Sequence, residues 1–122
     1  MPAGATSMSA RLPKHLDDAL YAARLALRFL AGRTLDDDRA DEFLRSAVER
    51  QVEIVGEACR RALVDSPCLG QALPDASKAV AMRNRVAHGY DTIDHVLVYR
   101  TVVTCFEPLA DGLEAELRRL RA

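Results

Sequence analysis

The chain of 122 residues has no tryptophan, and its three tyrosines and three phenylalanines bring the aromatic share to only 5%. A core of large rings is therefore excluded; the interior falls to Leu, Val and Ala, which favours closely packed helices. Charge of one sign is also missing. The formal net charge is −1, so no basic surface grips nucleic acid by bulk electrostatics, and any such binding has to be local. The three cysteines, Cys59, Cys68 and Cys105, form no Cys-x2-Cys pair and no His/Cys cluster suited to zinc. Cys59 and Cys105 read as small core residues in a reducing compartment. No apolar run approaches the ~20 residues that span a bilayer. The opening Met-Pro-Ala-Gly-Ala-Thr-Ser has neither the charged nor the apolar region of a signal peptide. These absences predict a cytoplasmic protein with no membrane partner, no metal and no cofactor.

What remains is ordinary globular composition, 49% apolar and 29% charged, in a length that makes one domain. Residues 1–10 are small and polar and are expected to form a disordered tail ahead of a helical domain over 11–122. Pro13 suits a first helical turn. Leu16, Leu20, Ala23, Leu27 and Leu30 follow at steps of four and three, and Gly32 is placed to end that helix in a left-handed conformation. His15 reads as exposed surface on its first turn. Thr34 to Asp38 supply an N-cap and early negative charge for a second helix from about Arg39 to Val64. The three aspartates diverge on a helix start and make a poor metal site. Leu44, Val48, Gln51, Val55, Ala58 and Ala62 carry this helix's stripe, widened by Phe43, Ala47 and Ile54. Gly56 interrupts it at roughly 1 kcal/mol relative to alanine, which suggests close backbone approach within the bundle or at a dimer seam.

Asp65 to Gly70 break the helix, residues 69–73 form one short turn, and a third long helix runs from Pro74-Asp75 to Gly89. Asp91 or Thr92 is expected to cap a last helix reaching about Leu120, with Tyr99, Val102, Val103, Phe106, Leu109, Leu113 and Leu117 facing inward and Pro108 bending it. The β-branched run Val96 to Val103 has no partner strand elsewhere, so it too is assigned to helix. Asp94 and His95 read as surface of its first turn.

The third long helix carries the chemistry. At ~100° per residue, Ala76, Ala79, Val80, Met82, Val86 and Ala87 share one apolar arc. Arg83 falls in the middle of it, and Asn84 and His88 lie one turn apart on its flank. Lys78 and Arg85 point to solvent. An arginine on an apolar arc needs its charge met, and Glu53 or Glu57 could meet it. A lone Arg or a lone His is more often structural. Together, an always-charged planar fork and a proton-transfer group are what RNA cleavage without metal requires.

Arg83, four residues, His88, one residue and Tyr90 form an Arg-x4-His-x-Tyr pattern that resembles the HEPN ribonuclease toxins of HepT type. Ile54-Val55-Gly56-Glu57-Ala58 resembles the family's upstream "IIGEA" block, and Met82-Arg83-Asn84-Arg85 its residues around the arginine. The family commonly has a tryptophan before the motif; here Asp75 to Val80 stand there without one. The resemblance implies an all-α, antiparallel four-helix bundle with a short extra turn, dimeric, with the Arg83–His88 faces of two protomers meeting in a shared cleft. It implies a metal-independent endoribonuclease with Arg83 and His88 as catalytic pair and Asn84 as positioning residue. Tyr90 would accept AMP from an MNT-type nucleotidyltransferase antitoxin. Messenger or transfer RNA, rather than DNA, is the implied substrate, and cyclic 2′,3′-phosphate the implied product. Arg85 and Arg60 are further candidates for substrate binding, although for these, as for Arg61, ordinary helix surface is an equal alternative. A different class of function, a non-catalytic module that partners the nucleotidyltransferase, needs only the tyrosine; retention of both Arg83 and His88 argues for the enzyme.

Overall fold

The computed structural model describes residues 3–89 and 93–122, the side chains of 3–10 excepted. Every regular element among them is a helix: α1 (Ala3–Leu30), α2 (Leu35–Ala40), α3 (Glu42–Asp65), α4 (Leu69–Ala72), α5 (Ala76–His88) and α6 (His95–Arg121). The helix α1 starts upstream of Pro13, which lies inside it. It ends as its sequence predicts, at Gly32 with φ 73°, a conformation that costs glycine little.

The expected second helix is two helices. Thr34 caps α2 in a reciprocal box with Asp37: the Asp37 backbone N–H donates to Thr34 Oγ1 (3.1 Å) and the Thr34 N–H to Asp37 Oδ2 (2.8 Å). The chain then turns extended at Asp41, whose carboxylate accepts from the Leu44 N–H at 3.0 Å and starts α3. A second N-cap thus resets the helix where apolar spacing alone shows no break. The last helix begins at His95, capped by Asp94, whose carboxylate accepts from the Leu97 N–H; Asp91 and Thr92, the caps expected from the sequence, lie outside the described residues. Within its β-branched run, Thr101 and Thr104 return their hydroxyls to the carbonyls of Leu97 and Arg100, satisfying them inside the helix.

α1 packs against α3 on one side and α6 on the other, α3 carries α5, and α5 touches α6 only lightly. The core is small-residue rich, as the composition requires. On α1 it is made by Leu16, Ala19, Ala22, Ala23, Ala26 and Leu30, with Leu20 and Leu27 at its margin. On α3 and α6 it is Val48, Val52, Val55, Val102, Phe106, Leu109 and Leu113, all but closed to solvent. Two expected core residues are not there: Phe43 is 86% exposed at the start of α3, and Val103 is 43% exposed on α6. Each lies one residue beside a buried position, Leu44 and Val102, and so falls off the covered face. Cys59 is buried, with its thiol pushed up to about 12 by desolvation, whereas Cys105 is half-buried and Cys68 exposed. No helix among the described residues is long and apolar enough to cross a membrane.

Candidate functional site

Helix α5 buries Ala76, Ala79, Met82 and Val86, with Val80 and Ala87 at the edge of that face. It lies against α3 so closely at Gly56 that a Cβ added there would sit 2.0 Å from Arg83 Cβ and 2.8 Å from the Ala79 carbonyl oxygen. Gly56 therefore serves close approach within the bundle, and the residue it admits to the α3 surface is Arg83. A short chain through α4 returns α5 along α3, so the C-terminal turn of α5 carries the remaining motif residues.

Arg83 is partly buried, and Asn84, Arg85 and His88 are exposed. The Arg83 guanidinium donates from Nη1 to Asn84 Oδ1 at 3.2 Å. Arg83 makes no direct pair with either expected glutamate. Glu57 is held by Arg60, at 2.6 Å from Nε and 3.3 Å from Nη2, and lies 3.8 Å from Arg61; Glu53 lies 3.8 Å from Arg50. The hydrogen bond from Arg60 draws the Glu57 carboxyl below the usual range, with Arg83 adding to the effect from farther off.

The two members of the Arg–His pair open onto different clefts. Arg83 lines one of about 470 Å³ between α1 and α3, together with Glu53, Glu57 and His15. His88 lines another of about 270 Å³ with Asn84, Arg85, Asp94 and Leu97. Five residues of α-helix separate them by ~140° around the axis. Asn84 belongs to both sides: it lines the His88 cleft while it accepts from Arg83. Arg85 opens onto the His88 cleft, and Arg60 is engaged by Glu57. Tyr90 lies outside the described residues.

Gly89 ends α5, but with φ −78° rather than the left-handed conformation expected of it. Space explains the glycine instead, since a Cβ there would meet the Arg85 carbonyl oxygen at 2.6 Å and Ile93 Cγ1 at 3.0 Å. Two histidines assigned to plain surface prove to be held. The His15 side chain, 13% exposed, stands 3.5 Å from the carboxylate of Asp65, joining α1 to the end of α3. His95 Nδ1 is 2.9 Å from Glu49 Oε2. No local pattern signals either pairing, because each joins residues far apart in sequence. No group of three or more His, Cys, Asp or Glu suited to a metal occurs among the described residues.

A family model described as "Ribonuclease HepT-like" matches residues 19–116 of the chain. No curated protein and no solved structure matches it.

Proposed function

Because this chain belongs to the HepT-like ribonuclease family, we propose that it is a metal-independent endoribonuclease acting through Arg83, Asn84 and His88. The observation that carries the proposal is a guanidinium without a carboxylate partner among the described residues, tied through Asn84 to the side of α5 that presents His88. An arginine in that state is available for the equatorial oxygens of a phosphate, where charge builds as the 2′-oxygen attacks. His88 moves the proton, taking it from the 2′-hydroxyl or giving it to the departing 5′-oxygen. The P–O bond to that oxygen breaks as the new one to the 2′-oxygen forms, leaving a 2′,3′-cyclic phosphate and a 5′-hydroxyl. Asn84 fixes the position of the arginine fork.

The divergence of Arg83 and His88 around one helix favours a dimer in which Arg83 of one protomer and His88 of the other close on one phosphate. Tyr90 follows His88 by two residues in the sequence, and AMP transferred to it would add phosphate charge to the motif segment, which fits silencing by a nucleotidyltransferase antitoxin. The test is cleavage of RNA by the purified protein, made without any partner and assayed in EDTA, beside a His88→Ala control. Cleavage lost with His88 and giving cyclic phosphate ends supports the reading. A strict need for Mg²⁺, or 3′-hydroxyl ends, contradicts it.

A further inference from the structure

We propose that the cleft between α1 and α3 that ends on Arg83 is a subsite for single-stranded RNA, holding the backbone phosphates next to the one that is cut. The proposal rests on the ribonuclease reading of Arg83 and assigns the strand a path. Arg11, Lys14, Arg50, Arg61 and Arg83 all line the cleft, a concentration of cations that stands out in a chain whose net charge is −1.

Three carboxylates line it too, and their partners decide what charge is left. Asp18 is taken by Lys14 at 2.9 Å, one turn away on α1, and Glu53 lies near Arg50 at 3.8 Å. The Glu57 charge is met mainly by Arg60, which does not line the cleft, so its neutralisation comes from outside. Arg61 stands off from Glu57 at 3.8 Å. Arg11 and Arg83 meet no carboxylate within pairing distance among the described residues, and Arg50 and Arg61 each stand off at 3.8 Å from one, a donor set matched to phosphate oxygens.

Size and floor agree with a single strand. The volume of about 470 Å³ lies within the ~300–1,000 Å³ of small-ligand sites and is too small for a duplex. Ile54 and Ala58 line it as well and give a sugar or base edge an apolar surface. Arg60 and Arg85, which the sequence offers equally as substrate-binding candidates or ordinary helix surface, do not line this cleft.

The test measures anisotropy of a short fluorescein-labelled single-stranded RNA with His88→Ala protein, which leaves the RNA whole, across a KCl series. Arg11→Glu with Lys14→Glu, and the milder Arg11→Gln with Lys14→Gln, are placed in that background. Arg100→Glu on α6 controls for net charge, and helicity by circular dichroism reports folding. The reversed pair is expected to weaken binding at least tenfold and the neutral pair less. The slope of log affinity against log salt should become shallower by about 0.7 for each phosphate no longer neutralised, with Arg100→Glu near the parent. Unchanged affinity and slope in both folded double variants overturn the subsite, as does an equal loss from Arg100→Glu. If wild-type protein cuts no RNA in EDTA, the ribonuclease reading fails by itself, while these binding curves still decide whether RNA occupies the cleft.

Discussion

Arg83 stands over Gly56 with no room for a single added carbon, its Cβ lying 2.0 Å from where a Gly56 Cβ would be. On propensity alone, Gly56→Ala would stabilise the α3 interior by about 1 kcal/mol. The clash with Arg83 Cβ and the Ala79 carbonyl oxygen involves backbone and the root of a side chain, so α5 has to move. We expect Gly56→Ala to destabilise by about 1–3 kcal/mol in urea titration and to lower RNA cleavage by more than the folded fraction accounts for. A gain in stability with full activity would show that α5 is free to shift without consequence.

Gly32 and Gly89 make opposite predictions under the same substitutions. Gly32 has φ 73° and nothing within 4 Å of an added Cβ. Gly32→Asn should be close to neutral, and Gly32→Ala should cost about 1 kcal/mol or more, because alanine resists the left-handed region. Gly89 has an ordinary φ, and crowding by Arg85 and Ile93 makes the larger Asn worse than Ala there. Thermal unfolding of the four variants checks both orders. Gly89→Asn tolerated better than Gly89→Ala would restore the left-handed reading.

The geometry of α5 also predicts how inactive chains should complement one another. In a symmetric dimer whose sites each draw Arg83 from one protomer and His88 from the other, a mixed dimer of Arg83→Ala and His88→Ala chains has one intact site. Random exchange makes half the dimers mixed, so about a quarter of wild-type activity should return. Sites built within single protomers predict none. The readout is cleavage of a labelled RNA before and after subunit exchange.

How much of this was legible in the chain depends on the range of the interaction that fixes it. Local chemistry was readable: Thr34 as a cap, Gly32 as a helix stop, residues 69–73 as a short turn and Pro108 inside a helix all follow from neighbours within a few positions. The break at Asp41 was hidden because helical spacing continues across it while a cap, not a breaker, resets the chain. Phe43 and Val103 were misplaced because periodicity gives the centre of an apolar face but not its width, which the neighbouring helices set. In the site, the motif residues and the close approach at Gly56 were visible. That Arg83 and His88 open onto separate clefts was implicit in their spacing, whereas the charge balance of the Arg83 cleft depends on α1 and α3 meeting, and only packing shows that.

Stability should also depend on pH through a buried acid. Asp38, at the start of the chain's second helix, is 3% exposed, and burial raises its carboxyl above the ordinary aspartate range, partly offset by the charges of Arg45 and His95. Between the ordinary value and the raised one, the folded protein keeps a proton that the unfolded chain has released. This contribution to stability is therefore fully present below the unfolded pKa and is lost as pH rises through the folded pKa. Asp37 and Asp41 run the other way: capping hydrogen bonds lower them, so their contribution is present above the ordinary aspartate range and lost on acidification. Asp38→Asn removes the first effect and leaves the others. Urea midpoints measured from mildly acidic to neutral pH should therefore rise more steeply, or fall less, in Asp38→Asn than in the wild type. Parallel curves would mean that Arg45 and His95 compensate the buried carboxylate in full.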